Sequence, residues 1–266
     1  MVEMLPHLLR QMESPAAAST DVIPWSCPAP VFGDLSTSFV ATLGLNPSNR
    51  EFVDESGNEL QGPARRLHTL RSLGLARWAN ADAGHIAQIE DGCRRYFARN
   101  PYNDWFRTLD LLIAGTRASY YGMFAGACHL DLIPYATRRK WTELTSLQRS
   151  TLQGMAGDTL GSLLRDSPIR LIVVNGRTVM ESLQRIAGTA FERVAMGEWT
   201  LPRRVGTGVT GFAYRGMVHQ LAGVDLGRPV LVLGFNHNLQ SSYGVTSEVR
   251  DAIRDWIAHA ASEVLE

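Results

Sequence analysis

Lysine is almost missing from this 266-residue chain: Lys140 is the only one, and every other basic residue is arginine. A lysine Schiff base is therefore confined to one position or to the terminal amine. Arginine suits bidentate phosphate contacts, although a GC-rich genome gives the same bias with no functional meaning. Cysteine is also scarce. Cys27, Cys93 and Cys128 show no C-x-x-C spacing and cannot make two disulfides or supply four thiolates to an iron–sulfur cluster, so they read as buried structural thiols. The seven histidines include no His-x-x-x-His pair, and neither a metal nor a cofactor is expected. Net charge is zero, which does not advertise nucleic acid. No run of 18 apolar residues and no basic-then-apolar leader occurs; M-V-E-M-L-P-H-L-L-R-Q-M reads as a small helix or arm, and a cytoplasmic protein with no membrane partner is expected.

What is present is a core. A hydrophobic content of 45% at this length supports a large α/β domain. No repeat or linker divides it, so residues 1–266 read as one domain. Apolar runs at Phe39–Leu45, Ala127–Ile133, Ile169–Asn175 and Pro229–Phe235 alternate with helical patterns at Ala64–Leu73, Trp105–Ala118, Leu147–Leu164, Thr178–Ile186 and Ser247–Val264. Runs such as I-R-L-I-V-V-N-G are apolar almost throughout, as in parallel strands covered on both faces. The alternation predicts a three-layer α/β/α sandwich around a central, mostly parallel four-stranded sheet. An N-terminal arm (1–36), a helical insertion (76–118) and an edge hairpin insertion (189–222) complete the expected layout. Gly206-Thr-Gly208-Val-Thr-Gly211 matches G-x-G-x-x-G, but strand-like residues follow it where a dinucleotide site needs a helix, so it is read as a hairpin turn.

Ligands of open α/β sheets collect at the carboxyl ends of the strands. Those ends read Gly44-Leu45-Asn46-Pro47-Ser48, Asp131-Leu-Ile-Pro134, Asn175-Gly176 and Gly234-Phe-Asn236-His237-Asn238. Polar residues thus converge where a site is expected. Turn formation alone also explains Asn, Pro and Ser after a strand.

In these motifs the chain resembles the uracil-DNA glycosylase superfamily, which carries a G-x-[DN]-P motif after its first core strand and an H-P-S-like motif after its last. Gly44-Leu45-Asn46-Pro47 is similar to the first in its asparagine form, and His237-Asn-Leu239-Gln-Ser241-Ser242 to the second. L-D-L-I-P-Y-A-T (130–137) sits where the family has a base-reading asparagine, and the order of core elements corresponds from about residue 38 onward. The resemblance implies a monofunctional enzyme that flips a nucleotide out of DNA and hydrolyses its glycosidic bond. Asn46 would hold water beneath C1′, and His237 would hydrogen-bond the base carbonyl. Gly44, Leu45 and Asp131, with Tyr102 and Trp105 as stacking aromatics, would surround the base. Leu239 would fill the emptied stack, and Ser48, Asn49, Arg50, Arg138, Arg139, Ser241 and Ser242 would contact the DNA backbone. Glu51 and Asp54 read as carboxylates of a solvated loop, with water activation as the other reading.

Asp131 stands where relatives have asparagine. Ionised aspartate only accepts hydrogen bonds, so it opposes uracil O4 and favours the amine of cytosine. Small Ser48 leaves room beside C5. Together they imply a C5-modified cytosine, such as the glucosylated hydroxymethyl form of phage DNA, and hence antiviral defence. If the alignment is off by one residue, Asp131 is instead an ion-pair partner for Arg138 or Arg139. A uracil or deaminated-base repair enzyme and a non-catalytic modified-DNA-binding module are the alternatives, with a nucleoside hydrolase as a third. A monomer is expected, its abasic product passing to a downstream nuclease.

Overall fold

The four apolar runs become four parallel strands lying side by side. The computed structural model describes residues 4–100, 104–122, 126–203, 208–239 and 245–265. Its strands are β1 (Val31–Phe32), β2 (Val40–Gly44), β3 (Ala127–Asp131), β4 (Leu171–Asn175), β5 (Glu192–Leu201), β6 (Val209–Leu221) and β7 (Val224–Phe235). They form one mixed sheet in the order β1-β3-β2-β4-β7-β6-β5. The pairs β3–β2, β2–β4 and β4–β7 are parallel. The expected four-stranded sheet is thus the centre of a seven-stranded one. β1 adds antiparallel at one edge, and β6 and β5 extend the other. The expected edge hairpin is β5–β6, and it joins the sheet because β7 begins at Val224, well before the apolar run, and pairs with β6.

Successive residues of a strand face opposite sides, and every residue from Val40 to Leu43, Leu171 to Val174 and Val230 to Phe235 is buried. Both faces of the central sheet are therefore covered. The helices are α1 (Met4–Met12), α2 (Pro15–Ala18), α3 (Ala83–Arg94), α4 (Tyr96–Arg99), α5 (Asp104–Ile113), α6 (Ser146–Ala156), α7 (Thr159–Arg165), α8 (Arg177–Ala187) and α9 (Ser247–Leu265). α8 leaves β4 through Gly176, whose φ of +89° suits glycine, and buries Val179, Met180 and Leu183. Gly234 of β7 leaves the space that the Met180 methyl fills.

Two helical expectations are corrected. Residues 64–73 form only 3₁₀ turns, at Gly62–Ala64 and Arg71–Leu73. Their backbone pairs with residues 25–27 instead: Cys27 N–H donates to the His68 carbonyl and Leu70 N–H to that of Trp25. The single helix over 147–164 is two, broken at Gly157 with φ +54°. Within the G-x-G-x-x-G stretch, Val209–Gly211 lie in β6, which pairs antiparallel with β5, and strand follows where a dinucleotide site needs a helix; Gly206 and Thr207 lie outside the described residues.

Candidate active site at the strand ends

Gly44 lies opposite Asp131 in the β2–β3 register, so two of the four strand ends meet directly. Beyond Gly44, Asn46 is half-buried. Its Nδ2 donates to the carbonyls of Pro47 (3.2 Å) and Tyr135 (3.3 Å) and to Thr137 Oγ1 (3.1 Å). Carbonyls only accept, and Thr137 Oγ1 already gives its proton to the Arg139 carbonyl. All three partners therefore demand the amide N–H₂, which fixes the side-chain orientation. Among the described residues nothing donates to Asn46 Oδ1, so that carbonyl oxygen remains for another group.

Asp131 is buried and does not meet either arginine proposed for it. Its Oδ1 lies 3.5 Å from His129 Nε2. His129 Nδ1 is 2.7 Å from Thr42 Oγ1, which also bonds the Tyr120 hydroxyl. Thr42, Gly44, His129 and Asp131 share one face, since positions two apart on a strand point the same way. A methyl group at Gly44 would overlap Asp131 Oδ1 and approach His129 Nε2 to 3.0 Å. Glycine is required here by close approach, not by backbone conformation. Phe32 and Phe106 close over the imidazole, with ring centroids at 5.7 and 5.1 Å. This buried line was not anticipated, although the H-x-D alternation on β3 signals a histidine and an aspartate on one face.

Glu51 is corrected from a solvated carboxylate to a buried one, 6% exposed. The 3₁₀ turn Asn49–Glu51 turns it inward, where Tyr96 Oη donates to Oε2 at 2.5 Å and Arg66 Nη1 lies 3.6 Å from Oε1. Burial raises its pKa above the usual carboxylate value, the Asp131 charge pushes the same way, and Tyr96 and Arg66 oppose both. Asp54, by contrast, is only half-buried and organises its own turn by accepting from the N–H groups of Ser56 and Asn58.

The other strand end, at β7, sits about 10 Å across the sheet from β2 at the usual strand spacing. His237 is 3% exposed, and its Nε2 is 2.6 Å from the Trp199 carbonyl. A carbonyl cannot donate, so Nε2 carries the proton, and burial lowers the pKa of the ring. The neutral ring then has no second N–H, and its one donor is committed to the hairpin strand β5. Asn236 ties the same end to β6, accepting from Phe212 N–H at 2.7 Å and donating to the Thr210 carbonyl at 2.9 Å. Asn175, ending β4 between these groups, has a buried Oδ1 without a partner among the described residues.

Around Asn46 lies an exposed rim of Ser48, Arg50, Arg138 and Arg139. Ser48 Oγ caps the following turn, accepting from Arg50 N–H at 3.2 Å. Asn49 Nδ2 donates to the Arg138 carbonyl, and Arg50 to that of Asp54. Arg139 pairs with Asp21, its Nε 3.2 Å from Oδ2. Lys140 is exposed on the same rim. Leu45, Trp105 and Leu239 are half-buried and pack on the core, Trp105 in the first turn of α5. Tyr102, Ser241 and Ser242 lie outside the described residues. Two surface hollows, about 620 Å³ beside Glu181 and Arg185 and about 390 Å³ beside Arg65 and Asp91, include none of the strand-end residues. Among the described residues, no cluster of three or more His, Cys, Asp or Glu is placed to hold a metal, and no helix is long and apolar enough to cross a membrane.

No protein-family model matches the chain, and no curated protein is significantly similar to it in sequence. The glycosylase resemblance therefore rests on the sequence motifs alone.

Proposed function

We propose that the protein is a monofunctional DNA glycosylase that extrudes a modified base and hydrolyses its N-glycosidic bond. One observation carries this reading: Asn46 has its amide locked by three acceptors and its carbonyl oxygen unspent, beside a buried aspartate on the adjoining strand end. Asn46 Oδ1 would hold the water that adds to C1′ while the C1′–N bond breaks, one water proton passing to the leaving base. Asparagine removes no proton, so its contribution is position and dipole. The strand-end position of Asp131 supports an acceptor for an exocyclic amine, and thus cytosine; Ser48, small and exposed, supports space for a C5 substituent. A glucosylated hydroxymethylcytosine of phage DNA fits both, which makes the cellular role defence by a cytoplasmic monomer.

The test is alkaline strand scission of oligonucleotides carrying plain cytosine, 5-hydroxymethylcytosine, its glucosylated form, uracil or hypoxanthine. Scission confined to the C5-modified cytosines and reduced on the order of 10²–10³-fold in Asn46→Ala supports the reading. Scission at uracil keeps the enzyme class and overturns the substrate.

His237 favours a second reading, a module that binds modified DNA without cutting. Its only N–H serves Trp199, so the neutral ring has no donor for a base carbonyl. Tight binding of modified DNA with no abasic product in the same assay selects that reading.

A further inference from the structure

Five arginines gather on the surface next to Glu51, far more positive charge than the neutral chain as a whole would suggest. Arg65 and Arg66 follow the 3₁₀ turn Gly62–Ala64; Arg94 ends α3, and Arg95 and Arg99 flank and end α4. Two carboxylates serve four of them. Asp91 lies 2.5 Å from Arg94 and 3.6 Å from both Arg95 and Arg99, while Glu51 is 3.6 Å from Arg66. Among the described residues, Arg65 has no carboxylate within ion-pair distance. Burial pushes the Cys93 thiol up to about 12, and the charge of the nearby Glu90 adds to this.

Between these side chains is a hollow of about 390 Å³, lined by Arg65, His68, Ala87, Gln88, Asp91 and Arg99. Its wall is built. His68 is 8% exposed, with Nδ1 3.2 Å from Ser72 Oγ, and Gly92 lets α3 approach its ring, since a methyl there would stand 3.0 Å from Cδ2. Gln88 adds an amide donor. We propose that this hollow is a phosphate-binding site, in which Arg65 and Arg99 clamp a phosphate group through their guanidinium forks. The fork geometry matches phosphate oxygens in pairs, and the unshared positive charge favours a dianion over a carboxylate. The field of the two arginines is already felt at His68: burial first, then Arg65 and Arg99, bring its pKa down to about 4.

The ligand is a backbone phosphate of a nucleic-acid strand or a free phosphate compound; Arg66, next in the chain to Arg65 of the hollow, pairs with Glu51. The proposal does not require base excision. Binding of a fluorescein-labelled 16-mer DNA, single-stranded and duplex, is measured by anisotropy between 50 and 200 mM salt, with pyrophosphate titrated separately by calorimetry. Arg65→Gln/Arg99→Gln is compared with Arg94→Gln, which removes a charge from the same cluster without lining the hollow. Thermal melting of each variant checks folding.

Weakening of DNA binding by about tenfold or more in the double variant, with the salt slope reduced by about one per lost phosphate contact and Arg94→Gln near wild type, supports a backbone phosphate. Pyrophosphate binding that the double variant loses, without DNA binding, supports a free phosphate ligand and fails the glycosylase reading separately. Wild-type affinity for both probes in the folded double variant overturns the proposal, as does absence of binding to either probe by the wild type. An equal loss in Arg94→Gln also overturns it, by showing diffuse charge instead of a site.

Discussion

Gly44→Ala is the sharpest test of the strand-end geometry. The glycine lies in ordinary extended backbone, so a methyl group adds no conformational strain; its cost is steric alone. The methyl would overlap Asp131 Oδ1 and press on His129 Nε2, and both of those side chains are held in a closed core. Overpacking of this kind costs about 1–3 kcal/mol. A loss near 2 kcal/mol would lower Tm by roughly 4–8 °C in a chain of this size. Asp131→Ala removes the overlapping oxygen and leaves His129 without its carboxylate, a change worth about 1–3 kcal/mol by itself. Adding Gly44→Ala to that background should then cost at least about 1 kcal/mol less than in the wild type. Urea unfolding followed by tryptophan fluorescence gives all four corners of the cycle. Equal costs in the two backgrounds would show that the aspartate does not lie against the β2 backbone, and the account of both residues would fail.

Glu51→Gln should flatten part of the pH profile of stability. Burial raises the folded-state pKa of Glu51, so the folded protein holds that proton more tightly than the unfolded chain. Its penalty is absent below the unfolded value of 4.5 and is felt as pH rises through the folded value; urea midpoints at pH 4 and 7 that change equally in both proteins would refute this. His68 acts at the acid end in the other sense. Its proton is refused by the folded state, so stability falls between pH 6.5 and about 4, by roughly 2–3 kcal/mol, and His68→Gln should remove that loss in acid denaturation. Ala222 sits with φ +49° in the two-residue turn joining Leu221 to Val224, beside Gly223 at +82°. Ala222→Asn should raise stability by about 0.5–1 kcal/mol in thermal unfolding. Under the proposed glycosylase reading, borohydride should trap no covalent adduct with modified DNA, because Lys140 stands on the rim; a Lys140-dependent adduct would overturn the monofunctional mechanism proposed.

Much of the fold was legible in the chain. Apolar runs that cannot alternate must be covered on both faces, and four such runs separated by helical patterns leave little choice but a parallel centre. The same local rules placed Asn46, Asp131 and His237 at strand ends, because a strand's direction and its end are properties of a few adjacent residues. Neighbours in space are a different matter. The sheet grew to seven strands because β7 extends backward to meet β6, a pairing no run of apolar residues marks. Glu51 looked solvated because it follows the polar run Ser48-Asn49-Arg50; it is buried because a single 3₁₀ turn aims it at Tyr96, 45 residues away. Thr42 meets Tyr120 and His129 across 78 and 87 residues. The Trp199 carbonyl, on a hairpin strand 38 residues upstream, accepts the His237 N–H hydrogen bond. Periodicity and motif spacing therefore determined which groups stand at the carboxyl edge of the sheet, since those are set by local backbone geometry. Only tertiary packing decided which hydrogen bonds those groups have already spent, because donors and acceptors far apart in the chain are matched only when the core closes.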